Sequence, residues 1–90
     1  MVGHVILFEH VNMRGNHKHV FAQENNLASP DDNFWNDRVS SFVILEGTWK
    51  FYRDINFQFP YDGEFGPGVY AWVENFGIKN DDMSSLKQIR

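Results

Sequence analysis

The sequence predicts an all-β fold, a two-sheet sandwich made of two four-stranded units. Three observations carry that prediction: the apolar runs are short, turn-forming clusters separate them, and the chain repeats itself at a fixed spacing. The first apolar run is HVILFEHV at 4–11, closed by the turn cluster NMRGN. GNHKHVF, at 15–21, reads as the strand that returns from that turn. NNLASPDDN then separates it from SSFVIL at 40–45, and LEGT leads into WKFYRDINF at 49–57. YDGEFGPG and IKNDD punctuate the second half, and SLKQI at 85–89 is the last run. No window carries a sustained helical stripe; VYAWVENFG at 69–77 accommodates one short helical turn inside a connection.

Ninety residues suit one domain with one core. Nine Phe, three Tyr and three Trp can fill such a core with few residues, because each ring buries a large area. The net charge of −4 argues against nucleic acid, whose binding domains carry a basic face, and is compatible with hard cations. With no cysteine, disulfide scaffolds, thiolate zinc sites and cysteine nucleophiles are all excluded. The amino-terminal MVGHVILFEH lacks a basic region, and its apolar run is too short for a signal or a membrane span. A cytoplasmic protein without membrane contact is the expectation. No phosphate loop or nucleophile elbow is present, so no enzyme is expected.

The repeat is the most informative signal. NDRVSS begins at Asn36 and NDDMSS at Asn80, 44 positions later. The same shift aligns Phe8 with Tyr52, Asn12 with Asn56, Met13 with Phe57, Phe21 with Phe65, Val39 with Met83 and Phe42 with Leu86, without a gap. Neither copy can bury both faces alone, so residues 1–90 read as one domain of two units, about 3–46 and 47–90.

The doubled Asn-Asp-x-x-Ser-Ser motif, with EFGPGVY ahead of its second copy, resembles the microbial βγ-crystallins, the single-domain archaeal type in particular. The resemblance covers nearly the whole chain and implies that each unit is a Greek key, with EFGPGVY holding a hairpin and a tyrosine corner. In that family a folded hairpin reads aromatic, spacer, aromatic-x-Gly. Here the first copy reads Phe8…Met13-Arg14-Gly15 and the second Tyr52…Phe57-Gln58-Phe59. Phenylalanine stands where glycine is expected, so distortion of the second hairpin is predicted.

The resemblance also implies two Ca2+ sites shared between loops of the two halves. One loop offers Asn36, Asp37, Ser40 and the carbonyl of Arg38; the other offers Asn80, Asp81, Ser84 and the carbonyl of Asp82. Backbone oxygens near Glu9 and Arg53 would complete the two sets. Short polar side chains are equally what turns require, so the same residues serve a purely structural role.

His17 and His19 stand outside the repeat, for they align with Tyr61 and Gly63. On a strand, residues two apart share a face at roughly 6.5–7 Å, close enough to offer two imidazoles to one ion. Val20 suits the core, which places the pair outward; Phe21 shares their parity and conflicts with that placement unless the strand has ended. Two imidazoles do not fill a coordination sphere. His4 and His10 are placed on a different strand, so completion falls to other copies of the chain. Two protomers give a tetrahedral zinc site; three give an octahedron on a three-fold axis, open to nickel, cobalt, iron or zinc. The trimer is preferred, since two perpendicular clamps crowd their strands. The expected protein is therefore a non-enzymatic metal-binding protein whose partner is itself. A structural or stress-protective role and an inhibitor-like module using an exposed loop at Phe34-Trp35 are the alternatives.

Overall fold

The apolar runs become the central strands of two sheets. In the computed structural model, which describes residues 2–27, 35, 38–80 and 82–90, eight strands form: β1 (His4–His10), β2 (Arg14–Phe21), β3 (Gln23–Glu24), β4 (Ser41–Glu46), β5 (Trp49–Asp54), β6 (Gln58–Pro60), β7 (Gly68–Tyr70) and β8 (Ser85–Gln88). The sheets run β2-β1-β4-β7 and β3-β8-β5-β6. Shifted by 44 residues, the strands of one unit correspond to those of the other. Each unit gives its third strand to the sheet of its twin, β3 beside β8 and β7 beside β4. A 3-10 turn at Val73–Phe76 fills the connection where one helical turn was expected, and the left-handed Gly77 ends it.

The inner faces meet in one apolar core. Val5, Leu7, Phe42, Ile44, Trp49, Phe51 and Leu86 alternate inward along β1, β4, β5 and β8, all essentially buried. Phe42 stacks on Tyr70 at 4.6 Å and lies 4.5 Å from Phe51, so aromatic contacts join the two sheets. Trp35 is also buried, at 6% exposure. This corrects the expectation of an exposed Phe34-Trp35 contact loop: the indole is core, and Phe34 lies outside the described residues. The Tyr70 hydroxyl donates to the Gly66 carbonyl at 2.7 Å, a tyrosine corner within EFGPGVY. Burial raises the Tyr70 pKa.

The hairpins are where the repeat is most exact in its chemistry. Ser41, fully buried, donates to the His10 carbonyl at 2.6 Å and accepts from the Met13 amide at 3.0 Å. Its counterpart Ser85, also fully buried, donates to the Asp54 carbonyl at 2.5 Å and accepts from the Phe57 amide at 3.2 Å. Left-handed backbone recurs at matching positions: Asn12, Met13 and Gly15 in the first hairpin, Asn56, Phe57 and Phe59 in the second. The turn predicted to be distorted thus keeps its twin's conformation, with Phe59 held at φ +56° where a side chain is disfavoured. The hairpins do differ in register. Asp54 and Tyr52 pair with Gln58 and Pro60, equal steps on both strands. His10 and Phe8 pair with Arg14 and His17, leaving one extra residue on β2.

Ser41→Ala leaves the Met13 amide and the His10 carbonyl without their shared partner, and a loss of about 2 kcal/mol is expected in denaturant unfolding. Phe59→Gly should raise stability by roughly 0.5–1 kcal/mol, the left-handed penalty less the greater unfolded-chain freedom of glycine. Little burial is lost there, because the Phe59 side chain is 63% exposed.

Candidate metal centre

The extra residue in β2 decides which way its histidines face. A one-residue slip in pairing moves every later side chain to the opposite side of a sheet. Tyr61, the repeat counterpart of His17, is buried, whereas His17 and His19 are exposed. The bulge lies beside Gly15, whose φ of +82° suits it; a Cβ there would meet the His10 ring at 2.6 Å. Past the bulge, β1 and β2 pair Phe8 with His17, Ile6 with His19 and His4 with Phe21 on the outer face. Val5 with Val20 and Leu7 with Lys18 take the other face. Phe21 continues the strand and is 57% exposed, so its parity is that of the histidines without conflict.

β2 is the outer strand of its sheet, so both imidazoles sit on an exposed face at a sheet edge. Their ring centroids are 5.2 Å apart, edge to face. An imidazole nitrogen lies about 2.0–2.1 Å from zinc, which puts the centroids of two rings on one ion roughly 4.6–5.3 Å apart for angles between octahedral and tetrahedral. The observed separation of 5.2 Å lies within that range. Among the described residues, no group of three or more His, Cys, Asp or Glu side chains is arranged to hold a metal ion on its own.

A third histidine joins the pair. His4 Nε2 is 2.8 Å from His19 Nδ1 in a hydrogen bond, with ring centroids 5.0 Å apart. Phe21 stacks on His4 at 4.3 Å. His4 lies on β1, a different strand from the pair, yet its ring reaches His19. The signal that finds it is the hairpin register, which makes His4 a diagonal neighbour of His19 across the pair, within reach of long side chains.

Among the described residues, those implied for calcium lie toward the ends of β1 and β5 and in the segments ahead of β4 and β8. Ser40 is buried and donates to Asn80 Oδ1 at 2.6 Å, so oxygen donors from the two halves do meet. The Asn80 amide in turn donates to Glu74. Ser84 is buried, and its amide donates to the Tyr52 carbonyl at 3.0 Å, as the Ser40 amide does to Phe8. Glu9 accepts from the Asn16 amide and lies 4.0 Å from the Arg38 guanidinium. Glu9 and Arg38 correspond in the repeat to Arg53 and Asp82, an ion pair of reversed polarity at 3.3 Å. Asp82 also accepts from the Tyr61 hydroxyl at 2.7 Å. Asn36, Asp37 and Asp81 lie outside the described residues.

Residues 4–89 match the Beta/Gamma crystallin family, and the chain belongs to it. It is 32% identical to a beta/gamma-crystallin of Ciona intestinalis over 97% of this chain and 99% of that protein. It is 40% identical to the transition-metal-ion-binding βγ-crystallin of Methanosaeta thermophila, covering 94% of this chain and 99% of that one, with a TM-score of 0.81. A double mutant of clostrillin, in which two serines two positions apart are replaced by histidine, is known in complex with nickel. It is 25% identical, covers 97% of this chain and 98% of that chain, and superposes with a TM-score of 0.76. Structural neighbours of this chain thus include transition-metal-binding crystallins.

The Asp82 cluster yields a prediction independent of any ion. Asp82→Ala removes the acceptor of the Tyr61 hydroxyl and should cost about 1–2 kcal/mol in denaturant unfolding. Arg53→Ala, which removes only an exposed ion pair, should cost less than about 1 kcal/mol.

Proposed function

We propose that this chain is a non-enzymatic βγ-crystallin that binds a divalent transition metal through His17 and His19, with the ion shared by several copies on a symmetry axis. The observation that carries this reading is the pair of imidazoles at 5.2 Å on an exposed edge strand. The same spacing of introduced histidines accompanies nickel in the clostrillin variant, and the Methanosaeta relative binds transition metal ions. Two nitrogens from one chain leave two to four coordination positions open. Three copies, each confined to a third of the circle about a three-fold axis, supply six nitrogens with room between the chains. When bound, the ion would link protomers and tie β2 to its symmetry mates.

The test is a titration of nickel, cobalt or zinc into metal-free protein with solution mass measured at each step. A rise to three chains per ion, abolished by His17→Ala, is expected. A constant mass, with His17→Ala indistinguishable from the parent, would sink the proposal; two chains per ion would replace the trimer with a dimer.

A second cation reading rests on the Ser40–Asn80 contact between halves. Ca2+ at the two motif loops is the role the family pattern suggests for these oxygens. The hydrogen bond itself and the Arg53–Asp82–Tyr61 contacts support instead loops tied together without an ion. Thermal melting separates the two: a midpoint raised by calcium and returned by chelator supports calcium, and an unchanged midpoint supports the structural tie.

A further inference from the structure

We infer that His4 is a positioning residue for the transition-metal site, holding His19 so that its Nε2 is the ligating atom; this rests on the reading that His17 and His19 bind the ion. The hydrogen bond between His4 Nε2 and His19 Nδ1 at 2.8 Å occupies one nitrogen of the His19 ring. The nitrogen left for an ion is then Nε2. A metal there requires a lone pair on Nε2, which places the His19 proton on Nδ1. His19 then donates and His4 accepts, with the His4 proton on its own Nδ1. A ligating histidine commonly makes this second bond, and the partner fixes both the tautomer and the ring angle.

Three features suit His4 to that task. It is half-buried on β1, the inner neighbour of the edge strand, so its backbone is paired on both sides by β2 and β4. Phe21 stacks against its ring at 4.3 Å and limits its rotation. It lies diagonally across from His19, whereas His17 has the Phe8 ring opposite, 6.0 Å away. The two ligands therefore differ: His19 has an imidazole partner, and His17 faces a phenyl ring with no hydrogen-bonding atom.

The experiment compares the parent chain with His4→Ala and His4→Gln by zinc titration calorimetry. Nitrogen-15 NMR of the imidazole rings is recorded before and after zinc. His4→Ala should weaken zinc binding roughly 10- to 100-fold, and His4→Gln, whose amide oxygen accepts the same hydrogen bond, should recover most of it. In the zinc-loaded parent, His19 should carry its proton on Nδ1. Parent-like affinity in His4→Ala, or zinc on His19 Nδ1, overturns the inference while leaving the pair as ligands. A loss that glutamine does not restore, with zinc-induced shifts on the His4 ring, makes His4 a ligand and overturns the positioning role. A parent that takes up no zinc overturns this inference together with the reading beneath it. Unaltered unfolding midpoints of the metal-free variants keep the comparison free of folding effects.

Discussion

Ser41 and Ser85 each place one hydroxyl, fully buried, between a carbonyl at the end of one strand and an amide in the following turn. Unpaired polar groups in such a position are costly, so each hydroxyl fixes how its hairpin folds over the end of the sandwich. Much else depends on that constraint. The folded turn demands left-handed backbone at three positions in both hairpins, while the register beyond the turn differs between them. In the first hairpin the same turn leads directly into the bulge beside Gly15, and the bulge aims the histidines.

The exchange of third strands gives the two units a common core. Because β3 pairs with β8 and β7 with β4, neither sheet can be completed by residues of one unit alone. The Phe42–Phe51 contact crosses between sheets at the middle of this arrangement, and the Ser40–Asn80 bond crosses between halves at its end. The reversed polarity of Glu9–Arg38 and Arg53–Asp82 fits the same picture. Each half places one acid and one guanidinium at matching positions, and either order of charges serves.

What the sequence made legible was what the repeat and the core share. The four apolar runs lie at β1, β4, β5 and β8, which are buried on one face and therefore strongly patterned. β2, β3, β6 and β7 are sheet-edge strands, mostly short and polar, and carry little signal of their own. The distortion expected from Phe59 did not occur in the turn, because Ser85 and the strand pairing impose the left-handed conformation against its local cost. Trp35 is buried and not presented on a contact loop for a related reason: in a domain this small, an indole beside the core is drawn into it. The histidine pair was visible, but its partner was not. His4 lies far from His19 in sequence, and only a register that counts the bulge correctly brings them together.

That bulge explains how one unit could acquire an exposed histidine pair its twin lacks. Without an extra residue, position 61 turns inward and Tyr61 packs in the core, its hydroxyl on Asp82. With it, the equivalent stretch of β2 presents alternate residues to solvent, where side chains are exchanged with little effect on packing. Histidines at two of those positions add nothing the fold requires and disturb nothing it depends on. The inner neighbour β1 then contributes His4 from a strand that cannot move without breaking two sets of pairings. A mobile edge could not hold two rings at 5.2 Å; an edge fixed by its serine-closed turn and braced by His4 can.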